Sequence, residues 1–400
     1  MSSSVHNSDS DTIISARDIG QGSNGLLISN KSHSLTSLNG EQAILNLPII
    51  SFLLLVAVLG TAGNTCVVYV YRARFRKNSG SYFIMALAIL DLLNSALCLP
   101  WEIYILSNPY NNDFPIIICK VARFLVTVVY LSAALTLVCV AFSRFFKISH
   151  PLRCFSSRRA QSITFVMVCL ALAVSWPQIP LSGTRTVATR VFGVYGHDCA
   201  ISDELSESLY ATLFQGSLHV LLSVCFLLML LFYVRLILIV WVRGRRRGLG
   251  RQVAARDYTP RSSASVTSDR SFGSSQNLSH TTSARRRSSG FTVLGQIGRT
   301  TRMLVLVTFM FLMGYLPLIT VNVLALNVNH LPPTSTLSYG QRMTFELCSR
   351  SHFLSSAANP LIYSVLNVRF RQESMIALRH VILRLPHWLR RRFKGQHGVT

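Results

Sequence analysis

The sequence predicts an all-α membrane protein, a seven-transmembrane helix bundle with a short amphipathic surface helix after the last span. Half of its 400 residues are hydrophobic and only 14% are charged, against about 25% charged in an ordinary soluble domain. The apolar residues gather into seven runs, each close to the about 20 residues that a helix needs to cross the hydrocarbon layer. A chain of this composition is expected to fold in a lipid bilayer.

The seven runs divide the chain into a tail, a membrane domain and a C-terminal region. We number them span one to span seven, and they run from Leu47 to Tyr71, Tyr82 to Leu106, Val121 to Ser143, Ile163 to Leu181, Leu213 to Val242, Met303 to Leu326, and Phe345 to Leu366. Residues 1–46 are rich in Ser, Asn and Gly, which predicts a disordered extracellular tail. The membrane domain then covers 47–366 and the C-terminal region 367–400.

Basic residues fix the expected orientation of the spans. The chain has 39 Lys and Arg against 15 Asp and Glu, a balance that would suggest nucleic acid as the partner of a soluble protein. Here the cations lie in the loops after spans one, three and five and after span seven. The positive-inside rule makes these loops cytoplasmic and leaves the N-terminus outside. We expect a multi-pass plasma-membrane protein with no nucleic-acid partner.

Three segments outside the spans carry predictions of their own. The third cytoplasmic loop, 243–302, contains 13 arginines and two aspartates and lacks apolar periodicity, so it is predicted to be disordered. Within it, Ser288 and Ser289 follow three arginines, the pattern of a phosphorylation site. Asn30 begins an Asn-Lys-Ser glycosylation sequon. Residues 367–393 mix apolar and basic residues, which predicts an amphipathic helix on anionic membrane lipid.

Polar and proline residues occur inside the spans in a fixed order. They are Gly63-Asn64 in span one, Leu87-Ala88-Ile89-Leu90-Asp91 in span two, Ser143-Arg144-Phe145 ending span three, Gly314-Tyr315-Leu316-Pro317 in span six, and Asn359-Pro360-Leu361-Ile362-Tyr363 in span seven. Together they resemble the motifs of the rhodopsin-like G-protein-coupled receptors, over Leu47 to Phe370 with the third cytoplasmic loop left out. The span-seven element is the most specific of them.

The resemblance implies a receptor, not an enzyme, that binds an extracellular ligand and activates a heterotrimeric G protein, with arrestin as a further partner. It assigns a switch role to Arg144, Tyr233, Pro317 and Tyr363. Ser143 stands where the family has an acid beside the arginine, and no acid occurs near 299–303 to hold it from span six. Both restraints on the inactive state are therefore expected to be weak.

The resemblance also implies a disulfide and a polar core. Cys119, at the outer end of span three, and Cys199, in the second extracellular loop, correspond to the family's bridged pair. Alternating residues between 184 and 195 favour a β-hairpin next to it. In the polar core Asn64, Asp91, Ser356 and Asn359 are the candidates for an allosteric sodium ion, the only cofactor considered. Ala133 replaces a usual Ser ligand of that site.

The outer ends of the spans carry the candidate ligand contacts. Four are ionisable residues and three are polar or aromatic residues further in: Glu102, Arg123, Glu346 and Arg350, then Tyr130, Tyr315 and Asn322. Glu346 and Arg350 are one turn apart, so an internal ion pair is as good an interpretation as a ligand site.

Two further positions exclude known classes of ligand. Val126 stands where the family's amine receptors have an aspartate, and Phe353 stands where opsins have the retinal lysine. Peptides, lipids and small acids remain. A neuropeptide or peptide hormone is the first choice, from the charged rim, the hairpin and the long tail. A transporter is the alternative from another class, but the sequence has no internal repeat or relay of acids of the kind transporters use.

Overall fold

The computed structural model of the protein describes residues 35–110, 115–150, 155–256, 302–321, 323 and 338–384, with only the backbone described for 240, 243–256 and 380–384. The seven predicted spans are helical. Their bounds are Leu47–Arg74, Ser79–Ser107, Ile116–Ser149, Ser157–Leu181, Leu209–Arg256, Arg302–Val321, and, for span seven, Tyr339–Arg350 followed by a 3-10 turn at Ser351–Phe353 and by Leu354–Leu366.

Six of these helices are long and apolar enough to cross a membrane by length and composition. Span seven is different because its outer part, Tyr339–Arg350, carries charged residues and the 3-10 turn then divides it. Charged residues in a span are retained where they have partners inside the bundle. The seven-helix bundle is confirmed, with an outer end of span seven that is polar.

Short polar side chains cap the N-terminal ends of spans two, four and seven. The Asn78 side chain accepts a hydrogen bond from the Ser81 amide at 2.9 Å at the start of span two. Ser156 does the same for the Arg159 amide at 3.3 Å in span four. Span seven begins with a reciprocal capping box between Ser338 and Gln341. Each cap satisfies amide groups that a helix leaves without an intrahelical partner.

Two spans depart from α-helical geometry at points that matter for the interior. Span two contains a π-helical turn at Asn94–Cys98, and Pro100 lies two residues beyond it. A proline cannot donate an amide hydrogen bond and crowds the preceding turn, which favours such a local change of pitch. In span seven the 3-10 turn lets the Ser351 hydroxyl donate to the Gly314 carbonyl of span six at 2.6 Å. Spans six and seven are thereby joined beside Pro317.

The loop between spans four and five is a β-hairpin, as predicted. Strand β1, Ser182–Ala188, pairs antiparallel with strand β2, Tyr195–Ile201. The turn between them contains Gly193 with a φ of 80°, a conformation that glycine adopts without steric cost. Thr184 lies opposite Cys199, so the pairing sets the position of that cysteine.

Three predicted boundaries need correction. Residues 35–45, counted with the disordered tail, are helical and lead into span one. Span five continues to Arg256, so the first part of the loop predicted as disordered is helical, and span six already includes Arg302. Apolar composition located the spans, but helices extend past the hydrocarbon layer into polar residues. The surface helix is Val368–Arg384, while 1–34, 257–301 and 385–400 lie outside the described residues.

The core is built around span three, which packs against spans two, four and five. On the cytoplasmic half, Tyr71, Phe83, Tyr233, Tyr363 and Phe370 belong to one buried cluster. Two smaller clusters lie between spans one, two, three and seven and between spans three, four and five. The surface helix is tied to this core because Phe370 is almost fully buried in it.

Candidate functional site

The polar core is centred on Asp91, a buried carboxylate in the middle of span two. Its Oδ1 accepts the Ser356 hydroxyl at 3.0 Å, and its Oδ2 accepts the Asn359 side-chain amide at 2.7 Å. Asn64 donates its amide to the backbone oxygen of Ser356 at 2.8 Å. The four predicted polar-core residues are therefore brought together by spans one, two and seven, and each carboxylate oxygen has a donor, as a buried charge requires.

One residue of the polar core was not predicted. Asn94, in the π-helical turn, donates its side-chain amide to the Ser356 hydroxyl at 2.9 Å. It lies three residues after Asp91, a spacing that places both side chains on one face of a helix, and this spacing is the signal that could have found it. Ser355 points away from the cluster and donates to the His352 carbonyl at 2.8 Å.

The end of the bundle opposite the hairpin holds Arg144 in the interior, and no acid of the described residues pairs with it. Ser143 and Arg144 are both buried. Nε and Nη2 of Arg144 are buried and have no hydrogen-bond partner among the residues that the structure describes. The guanidinium occupies the space left by Gly80, where an added Cβ would lie 2.6 Å from Nη2. The side chain is thus held inward by shape and not by charge.

Two tyrosines with predicted switch roles lie in the same half of the bundle. The hydroxyl of Tyr233 lies 2.8 Å from the Thr308 hydroxyl, a hydrogen bond that joins spans five and six. The buried hydroxyl of Tyr363 has no hydrogen-bond partner within the described part of the chain. A relative movement of spans five and six would therefore break a hydrogen bond of Tyr233, whereas the Tyr363 hydroxyl has none to lose within the described residues.

The hairpin is tied to span three by the predicted disulfide between Cys119 and Cys199, whose Cα atoms are 5.7 Å apart. Two acids secure it further. Asp203 accepts both the amide and the hydroxyl of Thr186, and these hydrogen bonds lower the pKa of its carboxyl. Asp198 pairs with Arg185 at 3.0 Å, although burial, the larger effect, raises its pKa.

The ionisable residues at the outer ends of spans two and seven form one cluster, which we call the outer triad: Glu102, Glu346 and Arg350. Nε of Arg350 donates to Glu102 at 3.1 Å, and its Nη1 donates to Glu346. Their side chains are only 13–16% exposed. The internal pair that the sequence allowed is present, and Glu102 joins it from a second helix.

A cavity of about 310 Å³ opens between the hairpin side of the bundle and its centre. Five predicted ligand residues line it: Glu102, Arg123, Tyr130, Tyr315 and Arg350. Glu346 is not in the lining and contacts the site through Arg350. Asn322 lies outside the described residues.

The polar lining residues Gln178, Gln215, His219 and His352 were missed. Single polar residues in apolar spans are the signal that could have found them. The floor of the cavity is aromatic. The Tyr315 ring lies 4.3 Å from that of Phe311 and 6.3 Å from that of Tyr130, measured between centroids.

A second missed contact joins the N-terminal helix to span seven. Arg342, buried near the start of span seven, donates to the Gln42 side chain at 2.8 Å. Asn46 donates to the Leu106 carbonyl at 2.9 Å at the outer end of span two. These bonds fix residues 35–46 against the bundle, which explains why this part of the tail is ordered.

Comparison with known families matches residues 63–363 to the seven-transmembrane receptors of the rhodopsin family. The chain belongs to this family. Two curated relatives are receptors as well. A QRFP-like peptide receptor from Branchiostoma floridae is 24% identical over 82% of this chain and 76% of its own length. The isotocin receptor of Catostomus commersonii is 29% identical over 37% of this chain and 38% of its own length.

As a member of this family, the protein is a multi-pass membrane receptor. Its candidate functional residues lie in two separate regions of the bundle. The receptor carries its charged cavity on the hairpin side and its buried arginine on the opposite side, with the polar core around Asp91 between them. An arrangement of this kind suits a protein that transmits a change of conformation from one side to the other.

Proposed function

We propose that this receptor binds an extracellular peptide in the cavity under the hairpin and activates a heterotrimeric G protein through Arg144. The observation that carries the proposal is the cavity itself, which lies under a disulfide-tethered hairpin and has a charged rim and an aromatic floor. Ligand sites combine an apolar lining with a few convergent polar groups in this way. The likeness to a QRFP-like peptide receptor supports a peptide as the ligand class.

The experiment is a screen of a neuropeptide library on cells that express the receptor, with calcium and cyclic AMP as readouts. A peptide that signals through the parent, and not through an Arg144→Ala variant at equal surface level, is the expected result. Tyr315→Ala should weaken the same peptide because it removes the cavity floor. Activation only by lipids or small acids would replace the peptide proposal with the second candidate, which Arg123 in the lining favours.

The proposed orientation places the hairpin and the N-terminal tail outside the cell, at the plasma membrane. It is supported by the basic loops on the other side and by the disulfide, since such bonds form in oxidising compartments. Asn30 should then carry a glycan. Treatment with a glycosidase should shift the parent on a gel by one glycan, and an Asn30→Gln variant should not shift. An unshifted parent would contradict the orientation or the use of this sequon.

Regulation is proposed to rest on the third cytoplasmic loop. The tail after Phe370 offers Ser374 and Thr400 as hydroxyl sites, whereas the loop contains many serines, with Ser288 and Ser289 behind three arginines. Deletion of 262–289 should therefore reduce arrestin recruitment, measured by proximity luminescence after activation. Alanine substitution of Ser374 and Thr400 is the matched control and should leave recruitment close to the parent.

The polar core is proposed as a sodium site that modulates the receptor, which otherwise needs no cofactor. Oxygen atoms that suit a hard cation are present on Asp91, on Ser356 and on Asn359, whose Oδ1 is buried without a partner in the described chain. Sodium should lower agonist affinity in the parent, and Asp91→Asn should remove the effect.

The surface helix, Val368–Arg384, is proposed to lie on anionic lipid at the cytoplasmic face of the membrane. No nucleic-acid partner and no catalytic step are proposed for this receptor.

A further inference from the structure

Arg123 lines the cavity from span three, one helical turn inward from the disulfide. Its Nε is buried and has no hydrogen-bond partner in the described chain, and no carboxylate of the described residues lies within 4.0 Å of its guanidinium. A partly buried cation without a counter-charge is unfavourable because burial removes hydration that nothing replaces. Within the described part of the chain, Arg123 therefore lacks an anionic partner.

The other charged groups near Arg123 are engaged elsewhere. Glu102 accepts from Arg350, which also donates to Glu346. On the hairpin, Asp198 interacts electrostatically with Arg123, but Arg185 and the Cys199 amide already donate to it, at 3.0 and 2.7 Å. The receptor's own acids thus leave Arg123 available.

The cavity below Arg123 changes character with depth. Tyr130 is seven residues further along span three, about 10 Å deeper at 1.5 Å per residue. There the lining includes Tyr130 and Tyr315, with the His352 ring centroid 5.3 Å from that of Tyr315, and Leu222 of span five and Leu318 of span six line the same cavity. An arginine fork recognises a planar anion by two parallel hydrogen bonds, and an apolar floor favours an uncharged group.

We propose that the ligand carries a carboxylate that pairs with Arg123 and an apolar group about 10 Å deeper, against Tyr130 and Tyr315. The inference rests on the proposed function in placing the ligand in this cavity. The carboxylate is a peptide's free C-terminus or acidic side chain, or the head of a small apolar acid. Both sources present the same chemistry to the guanidinium.

Three probe sets separate these sources. The first is a peptide library with free C-termini and with Asp and Glu included. The second is the same library with amidated C-termini, Asn for Asp and Gln for Glu. The third is a series of monocarboxylic acids with aliphatic or aromatic tails. Each set is applied to cells expressing the full receptor, and calcium and cyclic AMP are measured.

Variants then locate the contact. Arg123→Gln should raise the half-maximal concentration of a carboxylate-bearing activator by on the order of thirtyfold or more. Arg123→Lys keeps the charge but not the fork and should recover part of the loss. Lys120→Gln removes one charge from the same helix outside the cavity lining and should change the value by less than about threefold. Surface levels are matched by antibody labelling.

The possible results test the carboxylate inference separately from the proposal that the ligand is a peptide. Activation by the amidated set alone would overturn the carboxylate inference and leave the peptide proposal standing. Activation by the monocarboxylic acids alone, lost in Arg123→Gln, would support the inference and overturn the peptide ligand. An activator from the first set that acts equally on the parent and on Arg123→Gln, at matched surface level, would also overturn the carboxylate inference. The full result expected is activation by the first set, weakened in its amidated counterpart and in Arg123→Gln.

Discussion

Two buried arginines, Arg350 at the outer end of the receptor and Arg144 at the cytoplasmic end, are held in opposite ways. Arg350 donates to two carboxylates from two helices, Glu102 and Glu346. Arg144 has two buried nitrogen positions without a hydrogen-bond partner in the described chain and fits the space above Gly80. The first cation is fixed by charge and the second by shape.

The difference indicates where this receptor is rigid and where it is free to change. Breaking the outer triad exposes three charges to a low-dielectric interior, which is costly. Moving Arg144 outward removes no ion pair and gives its guanidinium access to water or to a partner protein. We therefore expect the outer cluster to act as a scaffold for the cavity, and the inner arginine to belong to a two-state element whose balance small changes can shift.

The largest effect is expected from removing the outer cation. Arg350→Ala leaves Glu102 and Glu346 buried without their partner and should destabilise the receptor by about 3–5 kcal/mol. The apparent unfolding temperature of purified receptor in detergent, at one scan rate, measures this. The control is Arg185→Ala, because its pair with Asp198 has an arginine side chain that is 50% exposed and should contribute no more than about 1 kcal/mol. Equal losses for the two variants would refute the assigned role of the triad.

The second effect is expected from giving the inner arginine the acid that it lacks. Ser143→Asp places a carboxylate beside Arg144 in a buried site, which should stabilise the resting state by about 1–2 kcal/mol and lower ligand-independent signalling roughly five- to thirtyfold. G-protein signalling without ligand is compared at matched surface level. Ser143→Asn is the uncharged control and Arg144→Ala the inactive one. Resting signalling equal to the parent would show that the missing pair does not set basal activity.

The smallest effect is expected from disturbing the shape that holds Arg144. In Gly80→Ala the new methyl group would lie 2.6 Å from Nη2, the far end of a flexible side chain that can move away. We expect fold stability to change little and resting signalling to rise by about two- to fivefold, less than 1 kcal/mol. Gly216→Ala, where an added Cβ meets nothing within 4 Å, is the control for the gain in helix propensity. A fall in resting signalling for Gly80→Ala alone would contradict the steric account.

Sequence patterns predicted most of the framework because hydrophobic length and motif order act along the chain. The seven spans, the hairpin, the Cys119–Cys199 bridge and the pairing of Asp91 with Ser356 and Asn359 all followed from residues in a recognisable order. Helix ends were placed less well, since apolar composition marks the hydrocarbon layer and not the hydrogen bonds that continue to Arg256 or begin at residue 35.

The sequence by itself determined that this protein crosses a membrane seven times and belongs among receptors, because apolar run length and ordered polar motifs are properties of the chain. Only the tertiary structure decided which charges meet. Arg350 could have paired with Glu346 alone, but the approach of span two adds Glu102. Asn94 reaches Ser356 because span seven packs against the face of span two that also carries Asp91. Among the described residues, Arg123 and Arg144 have no acid within 4.0 Å for the same reason: the partners of a buried charge are set by how helices far apart in sequence pack.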